Sequence, residues 1–313
     1  MYIYRWDLDK TYLDTDFDSL RGLMRSATEP AAQKRAVPGA TALMRRLGER
    51  EGARIFILSG SPTQLRAVLE EKLRLDGVGF ESLMLKDNLG NLRRGRLRAI
   101  RGQVGYKLPA LLAGRVGLGA GVRETLFGDD AESDALIYSI YADTLTGRLS
   151  PADLSRLLEA SGAYPDNIEL ALSAVSRIST ANAVDRIFIR LARGAPRARF
   201  SPLGARLVPI HAWWQAALVL AWLGHVPAST PDEVYAEAPP PGEAFAAASL
   251  AQDLVRGGHL PAAALPDLIG DAALRGTVAA ALGRLGPLPP EPVPLPPTAQ
   301  DDLALVRAWS HKG

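Results

Sequence analysis

At 313 residues, 47% apolar and 22% charged, the chain has a globular composition and enough length for two ordinary domains. A net charge of +2 gives no reason to expect nucleic acid or membrane from charge alone. The absence of cysteine excludes disulfides, thiolate metal sites and a cysteine nucleophile, and four histidines give a zinc centre little support.

Met1 leads directly into an apolar run, without a basic and then apolar leader, so a cytoplasmic protein is expected. Tyr2 to Trp6 is aromatic and β-branched, which predicts a short buried strand. It ends at Asp7-Leu8-Asp9-Lys10-Thr11, where two carboxylates two residues apart share a side in strand geometry. Residues 13–33 read as linker or a small cap, and Pro38-Gly39 opens a helix through Leu47. Arg54 to Leu58 is nearly continuous in apolar residues, as a parallel strand covered on both faces should be, and ends at Ser59-Gly60-Ser61-Pro62. A helix over Thr63 to Leu75 and a strand over Glu81 to Lys86 follow. After an arginine cluster (Arg93, Arg94, Arg96, Arg98 and Arg101) come a helix from Tyr106 to Leu112 and a strand from Arg123 to Phe127. That strand ends at Gly128-Asp129-Asp130, before a helix over Ala131 to Leu145. Strands alternating with helices predict a doubly wound α/β domain over residues 1–148.

From Leu149 the pattern turns Ala- and Leu-rich, and an all-α region is expected over 149–285. Ser150-Pro151 starts a helix, Asp166 to Ala192 reads as one long helix, and Thr230-Pro231-Asp232-Glu233 fits a capping box. Leu207 to Val226 carries Pro209, His211 and Gln215, and reads as a buried helix rather than a membrane span. Trp214 and Trp222 within it are eight apart, near one helical face, and are expected in the core. Residues 286–297 form a proline-rich tether to a last helix over Ala299 to Trp309, the third unit being 286–313.

Polar residues now mark four places in order: Asp7, Asp9 and Thr11; Ser59; Lys107 at the start of a helix; and Asp129, Asp130 and Asp134. Together these resemble the four motifs of the haloacid dehalogenase superfamily of aspartate-nucleophile phosphohydrolases. Val37-Pro38-Gly39, Phe56 to Leu65, Leu85-Lys86-Asp87, Gly105-Tyr106-Lys107 and an Ile-Tyr pair after Asp134 resemble the catalytic domain of actin-patch-type phosphatidate phosphatases. The resemblance covers roughly residues 1–145. Lys10 departs from that pattern, which has an acid after the second Asp. The resemblance implies a Rossmann-like parallel sheet, Mg2+ as cofactor and a phosphorylated substrate.

Phosphoryl transfer needs an in-line nucleophile and neutralisation of the phosphoryl oxygens. Asp7 is assigned as nucleophile, Asp9 as general acid and base, and Lys107 as the fixed positive charge. Ser59, Gly60 and Thr11 are assigned to phosphate binding. Asp7, Asp9 through its backbone carbonyl, Asp129 and Asp134 are expected to hold Mg2+, with Asp130 either a ligand or a helix cap. Segments 12–37 and 76–104 leave little room for an inserted cap, which favours an open site and a large substrate. Phosphatidate or another lipid is the first class, with peripheral membrane contact, and Arg93 to Arg98 could attract such a polyanion. A nucleic-acid end or a small phosphometabolite is the alternative substrate, without a stable nucleic-acid complex. An interaction protein carrying a vestigial phosphatase half is the non-enzymatic alternative.

Overall fold

The structure, a computed structural model, describes residues 1–14, 29–88, 90, 95, 102–237, 243–285 and 298–310. Its centre is β1 (Tyr2–Trp6), buried along its whole length. Around it lie β2 (Ala53–Pro62), β3 (Ser82–Lys86), β4 (Arg123–Asp129), β5 (Val184–Arg190) and β6 (Leu207–Ile210), in the order β3-β2-β1-β4-β5-β6. Every pairing is parallel. Parallel neighbours need crossovers, and helices supply them on both faces.

Side chains alternate between two cores with the two-residue period of a strand. Tyr4, Trp6, Phe127, Phe188 and Ile210 face one side. That side is covered by α1 (Ala40–Gly48), α2 (Arg66–Leu75), α7 (Trp213–Trp222), α8 (Thr230–Glu237), α9 (Glu243–Arg256), α10 (Leu265–Leu268) and α11 (Ala272–Leu285). Leu58, Leu126, Ile187, Ile189 and Leu207 face the other, under α3 (Val104–Ala113), α4 (Asp134–Leu145), α5 (Pro151–Ala160), α6 (Pro165–Val175) and α12 (Ala299–Ser310). On the first face an aromatic ladder crosses three strands. Trp6 stacks on Phe127 at 4.1 Å between ring centroids, Phe127 on Phe188 at 5.4 Å, and Trp213 leans on Trp6 at 5.0 Å.

The expected all-α second half is overturned: β5 and β6 extend the sheet that β1 to β4 begin. The long helix expected over Asp166 to Ala192 stops at Val175, and Val184 to Arg190 is strand. The short buried run Ile187–Ile189 within it is compatible with helix or strand by periodicity alone, and the β-branched and aromatic Val184, Ile187, Phe188 and Ile189 favour strand. The helix expected over Leu207 to Val226 divides likewise into β6 and α7. Pro209 is tolerated because β6 is the sheet edge, where a missing backbone donor costs no ladder bond. Trp213 and Trp214 are buried at 1% exposure, whereas Trp222, expected in the core, is 43% exposed at the helix end. The helix expected from Ala131 begins three residues later, at Asp134. Ser150 does cap α5, its hydroxyl accepting from the Asp153 amide. No helix among the described residues is long and apolar enough to cross a membrane. The proline-rich tether 286–297 lies outside the described residues.

Candidate active site

The strand order reverses between β1 and β4, so connections leave their carboxyl ends in opposite directions and open a crevice there. Asp7 continues the ladder past β1, its amide donating to the Phe127 carbonyl at 2.9 Å. The chain then closes a tight turn, with the Tyr12 and Leu13 amides on the Leu8 carbonyl and the Lys10 amide on the Leu13 carbonyl. Lys10 takes φ 59°, a left-handed conformation that L side chains disfavour.

Three other segments converge on this turn. From the end of β2, the hydroxyls of Ser59 and Ser61 donate to Asp9 Oδ2 at 3.1 and 2.7 Å, and the Ser61 amide donates to Ser59 Oγ. From the first turn of α3 comes Lys107, fully buried. Its Nζ donates to Asp7 Oδ1 at 2.8 Å, Asp134 Oδ1 at 2.6 Å and Glu132 Oε2 at 2.9 Å, which uses all three of its protons. Gly60 admits this helix closely: a Cβ there would lie 2.6 Å from Gln103 Nε2, and Gln103 in turn donates to Glu132 Oε1 at 3.0 Å.

From the end of β4, Asp129 folds its own loop, accepting from the amides of Ala131 and Glu132, and receives the Thr11 hydroxyl at 3.2 Å. Asp130 does not cap α4. Its carboxylate accepts the amides of Arg193 and Ala195 at 2.7 and 3.0 Å, and so fixes the turn after β5. It lies outside the group that can share an ion.

That group is Asp7, Glu132 and Asp134, each offering one oxygen within 4.8 Å of the others. These three could hold a metal ion. Asp7 Oδ2 and Asp134 Oδ2 are buried without a hydrogen-bond partner. Orphaned buried carboxylate oxygens are costly, and hard oxygen donors suit a hard divalent cation. Of the expected side-chain ligands, Asp129 falls outside the group, both its oxygens accepting bonds, whereas Asp9, expected through its backbone carbonyl, has its Oδ2 taken by the serines. Ser59 and Thr11, assigned to phosphate, donate their hydroxyls to the carboxylates of Asp9 and Asp129.

Charge and burial act against each other here. Burial pushes the Asp7 carboxyl well above its ordinary value against the pull of Lys107, and Asp134, Glu132 and Asp129 add to the rise. Burial, with Asp134 and Glu132, pushes Asp129 up to about 8. Asp134 rises to about 6 through burial, with Lys107 opposing. Asp9 is raised by burial and Glu132, restrained by the bonds from Ser61 and Ser59. For Lys107, burial disfavours the charge, but Asp134, Asp7 and Glu132 outweigh it and keep the ammonium charged.

Glu132, Ser61 and Gln103 are the site residues that sequence reasoning missed. Ser61 had a signal, lying two residues past Ser59 and so on the same side of an extended chain. Glu132 stood inside the acidic stretch after β4 but had no periodicity to single it out. The arginines 93, 94, 96, 98 and 101 lie outside the described residues, as do 15–28, so the expectation of an open, uncapped site falls in part there. Compared with family models, with curated proteins and with solved structures, the chain matches none.

Proposed function

We propose that the chain is a Mg2+-dependent phosphomonoesterase that works through an aspartyl-phosphate on Asp7. One observation carries this reading. At the switch point of a parallel sheet, a fully buried lysine joins two fully buried aspartates whose remaining oxygens have no partner. A bound Mg2+, held by Asp7, Asp134 and Glu132, would neutralise charge on the phosphoryl oxygens and draw the carboxylates into their ionised form. Asp7 attacks phosphorus and takes the phosphoryl group, while the bond to the leaving oxygen breaks. Asp9, whose carboxyl burial raises above its ordinary value and the serines aim, protonates the departing alkoxide. In the second half-reaction Asp9 takes a proton from the water that hydrolyses the phosphoenzyme. Lys107 orients Asp7 and offsets its charge as phosphate enters.

The resemblance to phosphatidate phosphatases makes phosphatidate, or a related phospholipid, the first substrate class to try. The test is phosphate release from an aryl phosphate, phosphatidate in mixed micelles, 3′- and 5′-phosphorylated oligonucleotides and sugar phosphates, with wild type beside Asp7→Asn. Release is expected only with both Mg2+ and Asp7, and the fastest substrate names the class. No release from any of them, by a folded protein that binds Mg2+, would sink the proposal.

A further inference from the structure

The loop that carries Asp7, Asp9 and Thr11 does not hold its shape from the first half of the chain alone. Its backbone is strained at Lys10, at φ 59°. Two donors from the second half end on it. Arg190 Nη1 donates to the Lys10 carbonyl at 2.7 Å, and Trp213 Nε1 donates to the Thr11 carbonyl at 3.1 Å. The two carbonyls flank Thr11, whose hydroxyl meets Asp129, so this residue is held from both sides and through its side chain.

Neither donor is there by accident of packing. Arg190 ends β5 directly opposite Asp129 in the sheet register, and the Asp130 amide donates to its carbonyl at 3.0 Å. Burial disfavours its charge, and Asp14, Asp129 and Asp130 face it with opposite charge. Of the buried indoles on this face, Trp6 and Trp214 leave Nε1 without a partner, whereas Trp213 spends its N–H on the site loop. Contacts with Trp6 at 5.0 Å and Phe127 at 6.0 Å fix the Trp213 ring. In the opposite direction, Asp130 at the end of β4 secures the turn after Arg190 through the amides of Arg193 and Ala195.

We infer that Arg190 and Trp213 are positioning residues, which clamp the Asp7–Thr11 loop so that the nucleophile and the general acid are set by the second half of the chain. The clamp is a statement about geometry. Its consequence for turnover rests on the phosphatase reading.

The experiment uses the full chain with Arg190→Gln, Trp213→Phe and Arg190→Lys. Hydrogen exchange is followed at the amides of Lys10, Tyr12 and Leu13, which the turn protects, and across the remaining chain. Loss of one clamp bond should speed exchange in that turn about 3- to 10-fold, the equivalent of one hydrogen bond's net contribution, and leave the rest as in wild type. With the fastest substrate, kcat should fall about 10- to 100-fold with KM little changed, as a misplaced reacting group costs that order. Arg190→Lys, which keeps charge and a donor, should recover part of the loss. Loop exchange equal to wild type in both Arg190→Gln and Trp213→Phe would overturn the clamp. A loosened loop with kcat unchanged would overturn its positioning role. Accelerated exchange throughout the chain in both variants would make the pair struts of the core and overturn the proposal too. If wild type itself releases no phosphate, the phosphatase reading fails, while the exchange comparison still decides the clamp.

Discussion

Gly128 shows how narrow the tolerances of the site are. A Cβ at this position would lie 2.6 Å from Asp134 Oδ2, 2.7 Å from Asp134 Cβ and 2.9 Å from Tyr138 Cε2. Gly128→Ala should therefore push Asp134 away from Lys107 and Asp7, at a cost in stability of about 1–3 kcal/mol. Melting curves with and without Mg2+ check this: the metal-induced rise should shrink or vanish, and a full wild-type rise would remove Asp134 from the ion. A second prediction lies away from the site. Burial pushes His225 down to about 4, with Arg50, Arg186 and Arg123 acting the same way, and burial with Arg197 and Arg186 does the same to His259. Folded values below the unfolded one, about 6.5, mean that the unfolded chain binds protons first as pH falls. The stability these neutral histidines confer is complete above about pH 6.5 and is lost toward pH 4, at up to ~1.4 kcal/mol per pH unit for each. The raised carboxyls of the site act in the opposite direction, so the comparison is between wild type and His225→Gln. Urea midpoints should fall less steeply from pH 7 to pH 5 in the variant, and equal slopes would refute the assignment.

At the scale of elements, the helix that carries Lys107 is anchored from its other end. Arg5 of β1, Arg115 just past α3 and Tyr141 of α4 all donate to Glu124 of β4, at 2.8 Å from Arg5 Nε, Arg115 Nη1 and the Tyr141 hydroxyl. Arg5 also reaches the Gly114 carbonyl at the end of α3. Burial raises the Glu124 carboxyl, but Arg5 and Arg115 outweigh it and hold it below its ordinary value. Glu124→Gln would leave two buried guanidinium groups without their counter-charge, a loss of about 3–5 kcal/mol. Urea denaturation measures it, and a change below about 1 kcal/mol would mean that water or another acid replaces the carboxylate. Sequence patterning placed β1 to β4 and α3 correctly because each is a strong local signal bounded by turns or charged residues. It missed β5 and β6 because short apolar runs such as Ile187 to Ile189 fit helix or strand by period alone, and β-branched content together with pairing, β5 with β4 and β6 with β5, separates the two.

At the scale of the whole molecule, both hydrophobic cores draw on the two halves of the sequence. Trp6 and Phe127 pack with Phe188 and Trp213 on one face, and Leu126 shares the other with Ile187 and Leu207. A chain cut after residue 148 would bare the edge of β4 and both of these surfaces, an aggregation-prone arrangement. Such a fragment should show no cooperative thermal unfolding and no phosphate release. A sharp transition and retained Mg2+-dependent turnover in the fragment would restore the reading of two separable domains.

The sequence by itself determined the parallel α/β character and the residues at the ends of its first strands. Asp7, Asp9, Ser59 and Asp129 stand at or just past strand ends that local propensity reveals, whereas Lys107 and Asp134, each in the first turn of a helix, were singled out by the resemblance to a known motif set. Only the tertiary structure decided what each of them touches. Ser59 and Thr11 spend their hydroxyls on carboxylates, Glu132 joins Asp7 and Asp134 around Lys107, and Arg190 and Trp213 reach the first loop from 180 and 202 residues away. Such contacts arise when a sheet brings distant strand ends together, and no local pattern encodes that meeting.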